Sequence, residues 1–167
     1  MSVLLAVSFA APLSCAHTPP PPTPTPCPMP EPLNVSIRAS ERLNPGEGGE
    51  SLATTVRVYQ LKDASKLEGA SLEQILDNDR AVLGEDLVSV SELTLYPGET
   101  ATPSMSRREG ALVLAVVAFF RHASGSGWRV ARKLAPTDPQ YCHASGGGDA
   151  RRATLGFGLV DTRVELQ

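Results

Sequence analysis

The sequence predicts a mainly β domain, a two-sheet β-sandwich with a short helical insertion. Three features carry that reading. Residues 33–40 alternate strictly between apolar and polar, the period of a half-buried strand. Residues 111–120, ALVLAVVAFF, are continuously apolar yet too short to span a bilayer, which needs about 20 residues as a helix. Between the early and late strand-like segments the apolar period changes from two to that of a helix, around residues 64–84.

The N-terminal 32 residues stand apart from that domain. Met1 to Ala11 is apolar apart from two serines, and it precedes small residues and Cys15. This pattern predicts a signal peptide over 1–14, cleaved before Cys15, the residue to be lipidated. Pro12 occupies the place where such cleavage motifs usually carry Leu, and no Lys or Arg precedes the apolar run. Next comes PPPPTPTPCPMPEP, chain that adopts an extended polyproline path and cannot build a core. At ~3.1 Å per residue, the Pro-rich periplasmic tether over 15–32 reaches about 50 Å. The folded domain is then expected over 33–167, about 135 residues, which suits one core.

Each later element follows from its residues. Leu33, Val35, Ile37 and Ala39 share one face of the first strand. Asn-Pro-Gly and Gly-Gly within 44–51 cannot continue a strand and predict an exposed loop. Thr54–Lys62 is the second strand, with Val56 and Val58 on one face and Arg57, Tyr59 and Leu61 on the other. Ser71-Leu72-Glu73-Gln74 has the form of a capping box, with Leu72, Ile75 and Leu76 at helical spacing and Gly84 as a stop signal.

Leu87–Tyr96 returns to strand character. Val88 and Val90 hold one phase and Leu93 and Leu95 the other, so a break is expected near Ser91-Glu92. Pro97-Gly98 and Gly125-Ser126-Gly127 predict turns on either side of the central apolar strand, and Trp128–Leu134 another strand. A polar, Gly-rich loop is expected over 135–151. The final strand or pair runs from Ala153 to Leu166, with Gly158 marking a change of phase. Trp128 and Phe119 read as core residues.

The chemistry-bearing residues are sparse. Net charge is −3 with mixed signs and no basic stripe, so nucleic acid is not expected as a partner. The histidines are His17, His122 and His143, and no GxSxG, phosphate-loop or HExxH motif occurs. Neither CxxC nor HxxxH is present, so no metal site and no cofactor are expected. Cys142 and His143 are chain neighbours, unlike catalytic Cys–His pairs, which folding brings together. No catalytic residue emerges. With Cys15 acylated, Cys27 and Cys142 remain, either as a disulfide in an oxidising compartment or as two thiols. Asn34-Val35-Ser36 matches a glycosylation sequon but falls inside a strand.

Taken in order, several segments resemble one family. Leu33-Asn34-Val35-Ser36 leads to Leu43-Asn44-Pro45, then Val56-Arg57-Val58-Tyr59-Gln60-Leu61-Lys62-Asp63. A short helix, Leu95-Tyr96-Pro97-Gly98-Glu99, Ala115-Val116-Val117-Ala118-Phe119-Phe120-Arg121 and Trp128-Arg129 follow. This resembles the TssJ (SciN, VasD) lipoprotein family of the type VI secretion system, over roughly 33–134. The resemblance implies a transthyretin-like sandwich, anchored by an acylated Cys15 in the outer membrane and facing the periplasm. It also implies binding to the periplasmic C-terminal region of a TssM-like inner-membrane protein, and through it an indirect link to TssL. By position, the loop that implies this contact comprises Asn44, Pro45, Gly46, Glu47, Gly48, Gly49, Glu50 and Ser51. Glu47 and Glu50 would pair with basic groups on the partner, and the glycines would permit close approach. The rival reading is a periplasmic sandwich lipoprotein binding a small ligand or another envelope protein. A deep apolar pocket with convergent polar groups would mark the small-ligand version.

Overall fold

A computed structural model describes residues 31–136 and 154–167 of the chain. The expected signal peptide, Cys15, the Pro-rich tether up to Pro30, Cys27, Cys142, His17, His143 and most of the Gly-rich loop lie outside those residues, while Glu31 and Pro32, expected in the tether, belong to the folded domain, Pro32 in a strand.

Two four-stranded sheets face one another. The first runs β10-β9-β2-β5 and the second β4-β3-β7-β8. Their strands are β2 Val35–Ala39, β3 Thr54–Leu61, β4 Leu87–Leu95, β5 Thr100–Ala101, β7 Val113–Ala118, β8 Arg129–Lys133, β9 Leu155–Val160 and β10 Arg163–Leu166. A small ribbon pairs β1 (Pro32–Leu33) with β6 (Met105–Ser106). All pairings are antiparallel except β2 with β9, which run parallel. The sandwich and helical insertion agree with the sequence reading.

The helical insertion forms a third layer. Helices α1 (Ser65–Gly69) and α2 (Leu72–Leu83) lie between β3 and β4 in the chain. Ser71 accepts from the Gln74 N–H and Gln74 returns the bond to the Ser71 N–H, the predicted capping box. Ile75 and Leu83 are buried, while Leu76, expected on the same stripe, is 53 % exposed. The third layer explains the apolar run at 111–120. Val58 pairs with Val116 toward the facing sheet, while Tyr59 pairs with Ala115 on the α2 side. Both faces of β7 are therefore covered, and all six of its residues are buried.

The same layering corrects two expectations. β4 is continuous through Ser91 and Glu92, where a break was predicted. The opposing phases arise because Val90 pairs with Tyr59 under the helices and Leu93 with Val56 above the other sheet. The register shift lies at the start of β4, where Val88 is the extra residue between the partners of Gln60 and Leu61. Gly158 is likewise not a switch. It sits within β9, and the phase changes at a two-residue hairpin, Asp161-Thr162, with Asp161 at φ 52°.

An ion-pair network docks α2 onto β3. Asn78 leaves helical geometry (φ −156°, ψ 71°), kinking α2 and freeing the Ile75 carbonyl. Arg57 donates to that carbonyl at 3.2 Å, to Asp79 at 3.3 Å and to Glu92 at 2.7 Å, and stacks on Phe119 at 4.9 Å. Tyr59 donates its hydroxyl to Asp79 at 2.8 Å. Burial pushes the Tyr59 phenol above its ordinary value, and Asp79 adds to this against the opposing pull of Arg57. The sign follows by linkage. Below pH about 10 both folded and unfolded chains keep the phenol neutral, and above it only the unfolded chain ionises. The phenol therefore costs stability as pH rises past that point. Tyr59→Phe should show a smaller drop in urea midpoint between pH about 8 and about 11 than the parent. An equal drop in both would contradict this.

Candidate functional site

Strand direction collects four loops at one end of the sandwich. β2 ends at Ala39 where β3 begins, β4 ends where β5 begins, β7 ends where β8 begins, and β9 turns into β10. The loops are thus 40–53, 96–99, 119–128 and 161–162. The chain enters at the other end, where the Glu31 carbonyl accepts from the Arg107 N–H and Arg107 reaches the Ala111 and Ala135 carbonyls. Residues 32–39 carry the chain roughly 25 Å between the two ends, at ~3.3 Å per residue.

The loop predicted from sequence, Asn44 to Ser51, is closed at its base. The Leu52 N–H donates to the Leu43 carbonyl at 3.0 Å, and Leu43 is fully buried. Asn44 differs from its neighbours because it is 5 % exposed and belongs to the scaffold. Its amide donates to the Ala53 carbonyl at 3.1 Å and its carbonyl accepts from the Arg121 N–H at 2.8 Å. Its backbone, at φ 48°, donates to Asp161 at 2.7 Å. Asn tolerates this left-handed conformation better than most residues. Side chain and backbone together, this one residue joins three of the four loops.

Beyond Asn44 the loop is exposed and shaped by its own contacts. The Gly46 N–H donates to the Glu50 carbonyl at 2.8 Å, and the Gly49 N–H to Gly46 at 3.0 Å. The Glu50 carboxylate folds over Gly46, where a Cβ would lie 2.1 Å from its oxygen. Gly49 supplies the positive φ of the turn, 82°. These glycines serve the loop's own path. Pro45 and Ser51 are half-buried at its flanks. Glu47 is exposed and lies 3.3 Å from Arg121, a surface pair that contributes little.

Sequence reasoning did not place the neighbouring loops beside this one. Tyr96-Pro97-Gly98-Glu99 is a turn with Gly98 at φ 76°, closed by Glu99 N–H to the Tyr96 carbonyl at 3.1 Å. The Glu99 carboxylate accepts from the Tyr96 N–H at 2.9 Å, and the Gly98 N–H donates to Ser40 at 3.1 Å. The Tyr96 ring is 60 % exposed. Across the four loops, Glu41, Glu47, Glu50, Glu99 and Asp161 face only Arg42 and Arg121 as full charges. The end is acidic, with one exposed aromatic. The Pro97-Gly98 signal could have located this turn in sequence, but its proximity to 44–51 depends on topology.

No deep apolar pocket with convergent polar groups is found among the described residues. Two cavities, of about 420 and 380 Å³, are open surface grooves. One is lined by Leu67, Glu68, Ser126, Arg129, Val130 and Ala131, the other by Arg80, Gly84 and residues 87–90. Trp128 is buried as expected, and Phe119 packs partly buried against the core. Among the described residues no group of His, Cys, Asp or Glu is arranged to hold a metal, and no helix is long and apolar enough to cross a membrane.

Comparison with known proteins gives this geometry a context. The family model described as type VI secretion lipoprotein, VasD, EvfM, TssJ matches residues 31–158. No curated protein matches the chain. Three solved structures share its fold. The T6SS lipoprotein TssJ1 from Pseudomonas aeruginosa is 23 % identical at TM-score 0.69, covering 83 % of this chain and 96 % of that one. Serratia marcescens Lip, a membrane-bound component of the type VI secretion system, is 19 % identical at TM-score 0.71, with coverage of 81 % and 96 %. A chain in the structure described as the TssM C-terminal domain (869-1107) from EAEC is 23 % identical at TM-score 0.63, with coverage of 82 % and 98 %. The matched residues take in strands of both sheets, the helical layer and the loops 40–53, 96–99 and 119–128, and the chain is a member of the type VI secretion lipoprotein family that includes VasD, EvfM and TssJ.

Proposed function

We propose that the chain is the outer-membrane lipoprotein of a type VI secretion membrane complex. Cys15, acylated, holds it to the membrane, facing the periplasm. The loop end binds the periplasmic C-terminal region of a TssM-like inner-membrane protein, and TssL is linked indirectly through that partner. The domain carries no chemistry of its own. The observation that supports this most is polarity: the chain enters at one end of the sandwich and the acidic, solvent-facing loops stand at the other. A tether on one end and a rigidly held loop cluster on the other suit a protein that is fixed behind and grips ahead. The likeness to a chain in the TssM C-terminal domain structure favours that class of partner.

The test is direct binding of the chain, in detergent, to a TssM-like periplasmic region by calorimetry. Saturable one-site binding that weakens with salt is expected, because acidic loops rely on screened charge. No binding would overturn the reading. The anchor has its own test. Cys15→Ser should move the protein from the outer-membrane fraction to the soluble periplasm, since loss of the lipid leaves only the polar tether. Retention of the variant in the membrane fraction would contradict the assigned anchor.

A further inference from the structure

Among the described residues the two four-stranded sheets leave four edges, and three of them are guarded. β5 is only two residues long. β10 has four residues, carries Arg163 and Glu165, and its Val164 N–H donates to Gly127 at 2.7 Å. β8 carries Arg129, Arg132 and Lys133, and Arg129 donates to the Ala70 and Glu68 carbonyls of the α1 segment. Short length, cations and covering contacts are the usual devices that stop edge-to-edge pairing. β4 lacks them. Over nine residues it contains no Lys, Arg or Pro, and it is regular from Ser89 to Leu95.

Register fixes which backbone groups of β4 are open. The Thr55 carbonyl accepts from Phe119 and the Leu61 carbonyl from Leu112, so odd-numbered residues of β3 face β7. Even-numbered ones therefore face β4, opposite Leu95, Leu93, Ser91 and Ser89. The alternation leaves Val90, Glu92 and Thr94 with N–H and C=O directed outward. Tyr96, the next in phase, is sealed by its own turn through Glu99. β4 thus ends at the loop cluster beside the exposed Tyr96, so a protein seated on those loops lies at the end of this open edge.

We propose that the partner bound at the loop end also adds an extended strand to β4, pairing with Val90, Glu92 and Thr94. This inference rests on the partner reading above. The incoming strand carries Lys or Arg opposite Glu92, whose side chain is 54 % exposed and gives only one oxygen to Arg57. A second copy of the chain fits less well. Symmetric pairing of the outward residues sets Glu92 against itself, Val90 or Thr94, and none of these supplies a counter-charge.

Amide exchange read by mass spectrometry tests this on the full chain in detergent, with and without the TssM-like periplasmic region. Peptides across 88–95 should slow by at least about tenfold on binding, because open amides gain partners. Thr94→Pro removes one outward N–H at an edge position that tolerates proline and should weaken binding by about tenfold. Binding with unchanged exchange across 88–95 overturns the strand addition and leaves the partner reading intact. Absence of binding overturns both. Protection across 88–95 that rises with the concentration of the chain alone assigns the edge to a second copy and also overturns the proposal.

Discussion

Asn44→Ala should lower the stability of the domain by about 3–5 kcal/mol and disorganise the loop end with it. Two part-buried backbone groups lose their partners, the Ala53 carbonyl and the Arg121 N–H. Each such loss costs about 1–3 kcal/mol. Alanine must also hold φ 48°, a left-handed conformation that costs a non-glycine residue about 1–2 kcal/mol. Substitutions separate the terms. Asn44→Gly removes the strain but not the lost bonds, so it should be milder than alanine by about 1 kcal/mol. Asn44→Asp keeps the acceptor for Arg121 and loses only the donor to Ala53. For a domain of this size the alanine variant should melt about 10 °C or more below the parent. A melting point within about 2 °C of the parent would show that Asn44 does not brace the loops.

Arg57→Met should cost about 3 kcal/mol, the second large effect. The Arg57 side chain is 21 % exposed and that of Asp79 15 %, so the pair is largely withdrawn from water. Removing the cation leaves the Asp79 carboxylate, among the described residues, with only Tyr59 to donate to it, and it leaves the freed Ile75 carbonyl without its Arg57 donor. Breaking one member of a buried pair is worse than removing both charges. Asp79→Asn in the Arg57→Met background should therefore recover part of the loss, with a coupling of about 1 kcal/mol or more in a double-mutant cycle. Additive effects would contradict the network. Because Arg57 spans β3, β4 and α2, the helical layer should lose protection from exchange before the sandwich does.

Particular residues show how far the sequence reaches. The alternation of Leu33 to Ser40 gave β2 correctly because that strand is covered on one face. Ser71 and Gln74 located the start of α2 because capping is a local event. Val90 and Leu93 misled, since β4 meets the helices along one stretch and the facing sheet along another, and period alone cannot tell two coverings from a break. Gly158 misled for a related reason: the true turn, Asp161-Thr162, contains neither Gly nor Pro. At the loop cluster, the glycines and Pro45 marked 44–51 as exposed. Asn44 looked like part of that loop, and only the fold shows its side chain reaching Ala53 and Arg121, nine and seventy-seven residues away. The juxtaposition of Tyr96, Arg121 and Asp161 with the loop is set by strand order, which no local pattern encodes.

Deletion of 45–50, with Asn44 and its bonds retained, tests the loop end most directly. The loop base is already closed between Leu43 and Leu52, so the domain should keep its melting point. Calorimetry against a TssM-like periplasmic region should then show affinity reduced by about a hundredfold or more, the loss expected when the centre of an interface goes. Full affinity in a folded deletion variant would contradict the account.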